Sequence, residues 1–158
     1  MSKQTRKEGN KVVSLIKANN AEFYISTVDL KDNSDDVLTA VEVINRIIAD
    51  QSKYKLKPAY MIISAGKKLI TVVAYVPPEL SERLSHDKWV HKSVIGLSEG
   101  TFDSGDGYTR VIIEDDTPFK SKDMISGNGF AYLTKKGCIG DDESSEDEFI
   151  GFDDLDNF

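Results

Sequence analysis

The last eighteen residues, 141–158, carry nine carboxylate side chains and no lysine or arginine. A block of like charges repels itself and buries too little apolar surface to fold alone, so this segment is predicted to be a disordered acidic tail. Folding therefore depends on residues 1–140. That part holds all 20 Lys and Arg residues and 18 of the 27 acidic residues, so its formal charge is +2 although the whole chain carries −7.

The tail also contains apolar side chains that a purely solubilising segment would not need: Phe149, Phe152, Leu155 and Phe158. A weakly basic body joined to a strongly acidic tail is expected of an autoinhibited nucleic-acid binder, because the tail can occupy a basic groove until a polyanion displaces it. The alternative is a domain with a solubilising acidic end.

The segment 151–158 resembles the C-terminal peptide of bacterial and phage single-stranded DNA-binding proteins. The positions that match the family pattern are Phe152, Asp153, Asp154 and Phe158. The positions that depart from it are Leu155, Asp156 and Asn157. The resemblance implies that 141–158 binds replication, recombination or repair proteins, with Phe158 as the apolar anchor and the acids as steering charges. The implied partner-binding residues are Phe152, Asp153, Asp154, Leu155, Asp156 and Phe158.

Length and cysteine content predict one domain in a reducing compartment. About 140 residues suit a single hydrophobic core, and Cys138 has no second cysteine with which to form an internal disulfide. The chain shows neither a signal peptide nor an apolar run long enough for a membrane span. We therefore expect a cytoplasmic protein, or a nuclear one in a eukaryote, that is not secreted. Residues 1–10 are predicted to be a flexible basic arm and residues 11–140 a single nucleic-acid-binding domain.

The first half of the chain predicts a hairpin and a helix. Two apolar-rich runs, 11–17 and 22–30, flank Asn19 and Asn20 and form a hairpin if both are strands, although the first run also suits a helical turn. Residues 34–51 have apolar side chains at helical spacing, with Ser34 placed to cap them, and predict an amphipathic helix.

The second half predicts a hairpin of runs 59–64 and 69–76 around the turn 66–68. A second helix is predicted to begin at Pro78, and Trp89 lies either in a strand after it or on its solvent face. Residues 100–107 are predicted to be a loop. Further strands are predicted at 109–113 and 129–134.

This order predicts an α+β fold of the split βαβ type with a mainly antiparallel sheet, two helices and a disordered acidic C-terminal tail. The long helix at 34–51 falls too early for the all-β barrel of the family whose tail this chain resembles.

The sequence favours a binding protein over an enzyme. His86 and His91 are its only histidines and lack the cysteine or histidine neighbours of a zinc site. Phosphate-binding and nucleophile-elbow motifs are absent from the sequence. We therefore expect no catalytic residue, no metal and no cofactor.

Lysines alternate with aromatic and apolar residues in 53–60, and two more lysines follow in the turn 66–68. Single-strand binders use lysines for phosphates and aromatic faces for base stacking. The predicted nucleic-acid-binding residues are Lys53, Tyr54, Lys55, Lys57, Tyr60, Lys67 and Lys68, with a second cluster of Lys88, Trp89 and Lys92. In the alternative interpretation, the aromatic residues are core and the lysines protect a sheet edge.

The sequence thus predicts a non-catalytic protein that coats single-stranded DNA or RNA and recruits replication, recombination or repair proteins through its tail. The alternative is an acidic-tailed interaction or regulatory factor that does not bind nucleic acid. A third interpretation, an enzyme of another family, stays open. None of the three involves a membrane, and the sequence leaves the oligomeric state open.

Overall fold

The computed structural model describes residues 2–50 and 57–139. The predictions for residues 53–55 and for the tail lie outside the described residues. None of the helices in the described ranges has the length and hydropathy needed to cross a bilayer.

The described chain contains four α-helices and five strands. In order, the elements are α1 (Lys3–Asn19), β1 (Phe23–Thr27), α2 (Ser34–Asp50), β2 (Ala59–Ala65), β3 (Leu69–Tyr75), a 3₁₀ turn (Pro78–Leu80), α3 (His86–Ser93), β4 (Thr101–Gly105), β5 (Tyr108–Glu114) and α4 (Pro118–Lys135).

The five strands form one mixed sheet in the order β1-β2-β3-β5-β4. The first two strands are parallel and α2 connects them, whereas the remaining neighbours pair antiparallel. Parallel neighbours need a crossover connection, and α2 supplies it. The α+β class is therefore correct, but the prediction of a mainly antiparallel sheet with two helices is wrong because four helices and a mixed sheet are present in the described chain.

Both faces of the sheet are covered by helices. Along β2, Tyr60 and Ile62 pack with α1 and α2, while Met61 and Ile63 pack with α3 and α4. This alternation follows from the two-residue period of a strand. The molecule is consequently a three-layer sandwich in which α1 and α4 lie on opposite sides of the sheet.

The prediction of a hairpin over 11–17 and 22–30 is wrong, and the alternative of a helical turn for 11–17 is correct, because this run belongs to α1. The Ser2 Oγ caps this helix by accepting from Thr5 N–H at 3.1 Å, and Asn20 ends it in the left-handed conformation at φ 49°. Gly9 lets α1 approach α2, since a β-carbon there would lie 2.8 Å from Val43 Cγ1. Residues 3–10, expected to be a flexible arm, form the N-terminal half of the same helix.

Three predictions in the second half also need correction. Residues 129–134, expected to be a strand, lie in α4, where Gly129 lets the helix contact Ile25 of β1. The helix expected at Pro78 is a single 3₁₀ turn. The loop expected at 100–107 contains β4, which pairs with β5. The β2–β3 hairpin, the β5 strand and the α2 helix are confirmed.

Trp89 lies in α3 and is fully buried, so neither predicted position for it, a strand or a solvent-facing helix position, is correct. Its indole N–H donates to the Gly129 carbonyl of α4 at 3.3 Å. This contact joins two helices of the same layer through one side chain.

We expect Trp89→Ala to lower the free energy of unfolding by about 3–5 kcal/mol, because it removes a large buried side chain and leaves a cavity. Chemical denaturation measures the change. The matched control is the exposed neighbour Lys88→Ala, for which we expect a change within about 0.5 kcal/mol. Equal stability of the two variants would contradict the core position of Trp89.

Candidate nucleic-acid interface

The two predicted stacking residues that the structure describes are both buried. Tyr60 is 0% exposed, and its hydroxyl donates to Asn45 Oδ1 at 2.8 Å. Burial raises the pKa of Tyr60 well above its ordinary value. Trp89 is also 0% exposed and lies on the other side of the sheet. Neither ring can stack on a base in this fold, which corrects the role predicted for both side chains.

The predicted lysines do not converge on one surface. Lys57 and Lys67 lie beyond opposite ends of β2, roughly 23 Å apart for seven strand residues. Lys57 forms a 2.8 Å ion pair with Glu79, and the hydrogen bond to that carboxylate raises the pKa of Lys57. Lys88 and Lys92 lie on the exposed side of α3.

Several carboxylates lie close to the turn that carries Lys67 and Lys68. The Asp32 carboxylate accepts from the backbone N–H of Lys68 and Leu69 at 3.3 and 3.0 Å. The groove beside the turn is also lined by several carboxylates: Glu99, Glu114, Asp115 and Asp116. These charges oppose the approach of a phosphate backbone.

The basic surface that the fold does create lies on α1. Its exposed polar side chains recur with helical spacing and form one row, hereafter the α1 stripe: Lys3, Arg6, Lys7, Asn10, Ser14 and Lys17. The only acidic residue in α1 is Glu8, which is 4% exposed. The α1 stripe therefore presents four cations and two polar side chains with no exposed carboxylate in the helix.

Glu8 fixes α1 against the end of β1. One of its carboxylate oxygens accepts from Lys11 Nζ and from the Asp29 N–H, both at 2.8 Å. Lys11 Nζ also donates to the Thr27 carbonyl at 3.0 Å. Burial alone would raise the pKa of Glu8, but the hydrogen bonds from Lys11 and Asp29 and the charge of Lys7 outweigh it and lower the pKa. The ionised carboxylate thus holds the helix that carries the stripe.

Two partly exposed aromatic rings lie away from the α1 stripe, in a cleft beside α2. Tyr75 and Tyr108 line a cleft of about 220 Å³ together with Glu42, Asn45 and Asp106. Two carboxylates beside the rings make this cleft unsuitable for a phosphate chain.

Among the residues that the structure describes, no group of three or more His, Cys, Asp or Glu side chains is arranged to hold a metal ion.

The sequence contains the helical pattern of α1, but polar residues and a glycine at buried positions obscure it. The buried positions recur at helical spacing: Thr5, Glu8, Gly9, Val12, Val13 and Ile16. Three of them are polar or glycine, so an apolar period is visible only in the last half of the helix. The cations of the stripe share one face only once residues 3–17 are read as a single helix.

Comparisons with known proteins assign no family. No family model matches the chain, and no curated protein matches it. A solved structure of the catalytic domain of the histidine kinase ThkA is 13% identical, with 70% of this chain and 88% of that chain covered and a TM-score of 0.20. The structure of histidine kinase ThkA in complex with response regulator protein TrrA is 17% identical, with 72% and 41% covered and a TM-score of 0.23. Similarity at this level supports no functional assignment.

We expect Glu8→Gln to destabilise the protein at neutral pH and to have a shrinking effect in acid. The lowered pKa of Glu8 means that its contribution is complete above the ordinary glutamate pKa of 4.5 and is lost as the pH falls through the lowered value. Denaturation of both proteins between pH 7 and pH 2 measures the difference. Glu42→Gln, at an exposed site on α2, is the control. A Glu8→Gln effect that is constant over this range would contradict the role of the ionised carboxylate.

Proposed function

We propose that this chain is a non-catalytic single-stranded DNA-binding protein that holds phosphates along α1 and recruits replication or repair proteins through its acidic tail. The observation that carries the proposal is the α1 stripe, an ordered row of cations on a helix with no exposed carboxylate. Lysine and arginine bind phosphates by releasing condensed counterions, which needs no base contact.

The geometry of the stripe determines the kind of binding. Lys3 and Lys17 are fourteen residues apart, so the row extends along about 21 Å of helix. Because Tyr60 and Trp89 are buried, base stacking by these two rings does not contribute. We therefore infer electrostatic binding with little sequence preference and a steep dependence on salt.

The choice of single-stranded DNA comes from the tail rather than from α1. The match of Phe152, Asp153, Asp154 and Phe158 to the tail pattern of single-stranded DNA-binding proteins supports it. A row of cations alone does not distinguish single strands from duplex. The comparison of the two ligands is therefore part of the test.

The second candidate is a protein-interaction factor that does not bind nucleic acid. It is favoured by the exposed apolar side chains of α4, which include Phe119 and Phe130. Apolar surface of this kind marks contact with protein rather than with a phosphate chain. A protein that is inert towards oligonucleotides at low salt would support this candidate.

Binding to oligo-dT should depend on salt with a slope of log K against log salt of roughly −2 to −3, if the four cations of the stripe each neutralise one phosphate. Replacing Lys3, Arg6, Lys7 and Lys17 together by Gln should remove most of that slope. Fluorescence anisotropy over a salt series measures it, with circular dichroism as the check on folding.

The matched control replaces four other exposed lysines by Gln: Lys67, Lys68, Lys88 and Lys92. It removes the same charge from the surfaces that the sequence predicted, and we expect a much smaller change in slope. An equal loss in both variants would contradict the assignment of the interface to α1. Equal or tighter binding to duplex of the same length would contradict the single-strand assignment.

A further inference from the structure

The solvent-facing side of α4 is unusually apolar. Phe119 is 65% exposed, Met124 43% and Phe130 44%, and the neighbouring Ile95 is 59% exposed. These are four of the six large hydrophobic side chains that are exposed in the described chain. Exposed apolar side chains in this number on one helix and its neighbour indicate a contact with another polypeptide segment.

These side chains lie along the two borders of the outward side of α4. Phe119 and Phe130 are eleven residues apart, close to three full turns, so they lie on the same border. Met124 lies about 140° around the helix from Phe119, and Ile95 is held near Met124, because the Asn128 side chain donates to the Ile95 carbonyl at 3.4 Å. The opposite side of α4 packs into the core through buried residues. We name the outward side of α4, together with Ile95, the α4 face.

The helix that forms the α4 face carries a net positive charge. Residues 118–136 contain four lysines and a single acidic residue, Asp123. The lysines are Lys120, Lys122, Lys135 and Lys136. One of them, Lys122, already contacts an aromatic ring of the face, with its Nζ 5.4 Å from the centre of the Phe119 ring. A helix side that combines large apolar side chains with a net positive charge fits a segment that combines aromatic and acidic residues.

We propose that the α4 face binds residues 149–158 of the same chain. This segment combines three phenylalanines with Ile150 and Leu155, and nine acids and no cation lie between 141 and 158. It thus offers the apolar anchors and the negative charge that the α4 face and its lysines require. The proposal does not depend on DNA binding by α1.

The chain is long enough for this contact. Cys138 N–H donates to the Leu133 carbonyl at 2.9 Å, so the chain leaves α4 at the C-terminal end of the helix. The nine residues 140–148 can extend over roughly 30 Å. The eighteen residues of α4 are about 27 Å long. Phe149 and the residues after it can therefore reach any point on the α4 face.

Binding at this place has a defined consequence. Because α1 and α4 lie on opposite sides of the sheet, a tail on the α4 face leaves the α1 stripe accessible to phosphates. The bound tail instead hides its own phenylalanines from partner proteins. Recruitment would then require a partner that competes with the α4 face for the tail.

A spin label in the tail tests the contact in the full chain. The label is placed at Ser145→Cys in a Cys138→Ala background, and line broadening of ¹⁵N-labelled amides reports which surface the tail approaches. We expect strong broadening around Ile95, Phe119, Met124 and Phe130 and none above background in α1. Replacing Phe119 and Phe130 by Ser, or the three tail phenylalanines by Ser, should reduce the broadening in α4 to the level in α1.

A substitution on β4, away from α4, serves as the control. Phe102→Ser, at a site of similar type on β4 with 37% exposure, should leave the broadening in α4 unchanged. Broadening of α1 that equals or exceeds that of α4 would overturn the proposal in favour of tail binding to the basic surface. Broadening that requires the spin label and the ¹⁵N label to be on different molecules would assign the site to the tail of a second copy and would also overturn it.

Discussion

The structure depends on an interior strand, β2, that has no solvent-facing side. All seven residues of β2 are buried, with β1 on one edge and β3 on the other. A strand of this kind needs an apolar layer above and below it. The pair α1 and α2 supplies one layer, and the pair α3 and α4 supplies the other. Without α1, part of the sheet would be exposed to water.

This constraint limits where binding can occur. Since both sheet faces are used in the core, the described chain is left with the outer sides of the helices, the strand ends and the edge strands as contact surfaces. The outer sides of α1 and α4 differ in chemistry. The α1 stripe is cationic and polar, whereas the α4 face combines large apolar side chains with lysines. The sheet separates the two surfaces, so each can bind its own ligand.

The sequence predicted the elements whose pattern is complete within a short window. The α2 helix and the β2–β3 hairpin have strong apolar periods and clear turn residues, and both are present. It did not predict the whole of α1, because an apolar period is visible only in the last half of that helix, and it assigned 129–134 to a strand. Gly9 and Gly129 allow the two helices to pack closely against distant side chains, Val43 and Ile25. The edge strand β4 was missed because all five of its residues are exposed and show no alternation.

The sequence by itself determined the separation of charge between body and tail, the α2 helix and the central hairpin, because these depend on composition or on neighbours in the chain. Only the tertiary structure decided which aromatic and basic side chains are accessible. Trp89 is buried in the core that α3 and α4 form with the sheet, where Gly129, forty residues away, accepts its N–H, and Tyr60 is buried because α2 covers it. The α1 stripe is aligned because Glu8 ties its helix to Asp29. Each of these outcomes depends on contacts between segments that are far apart in the chain.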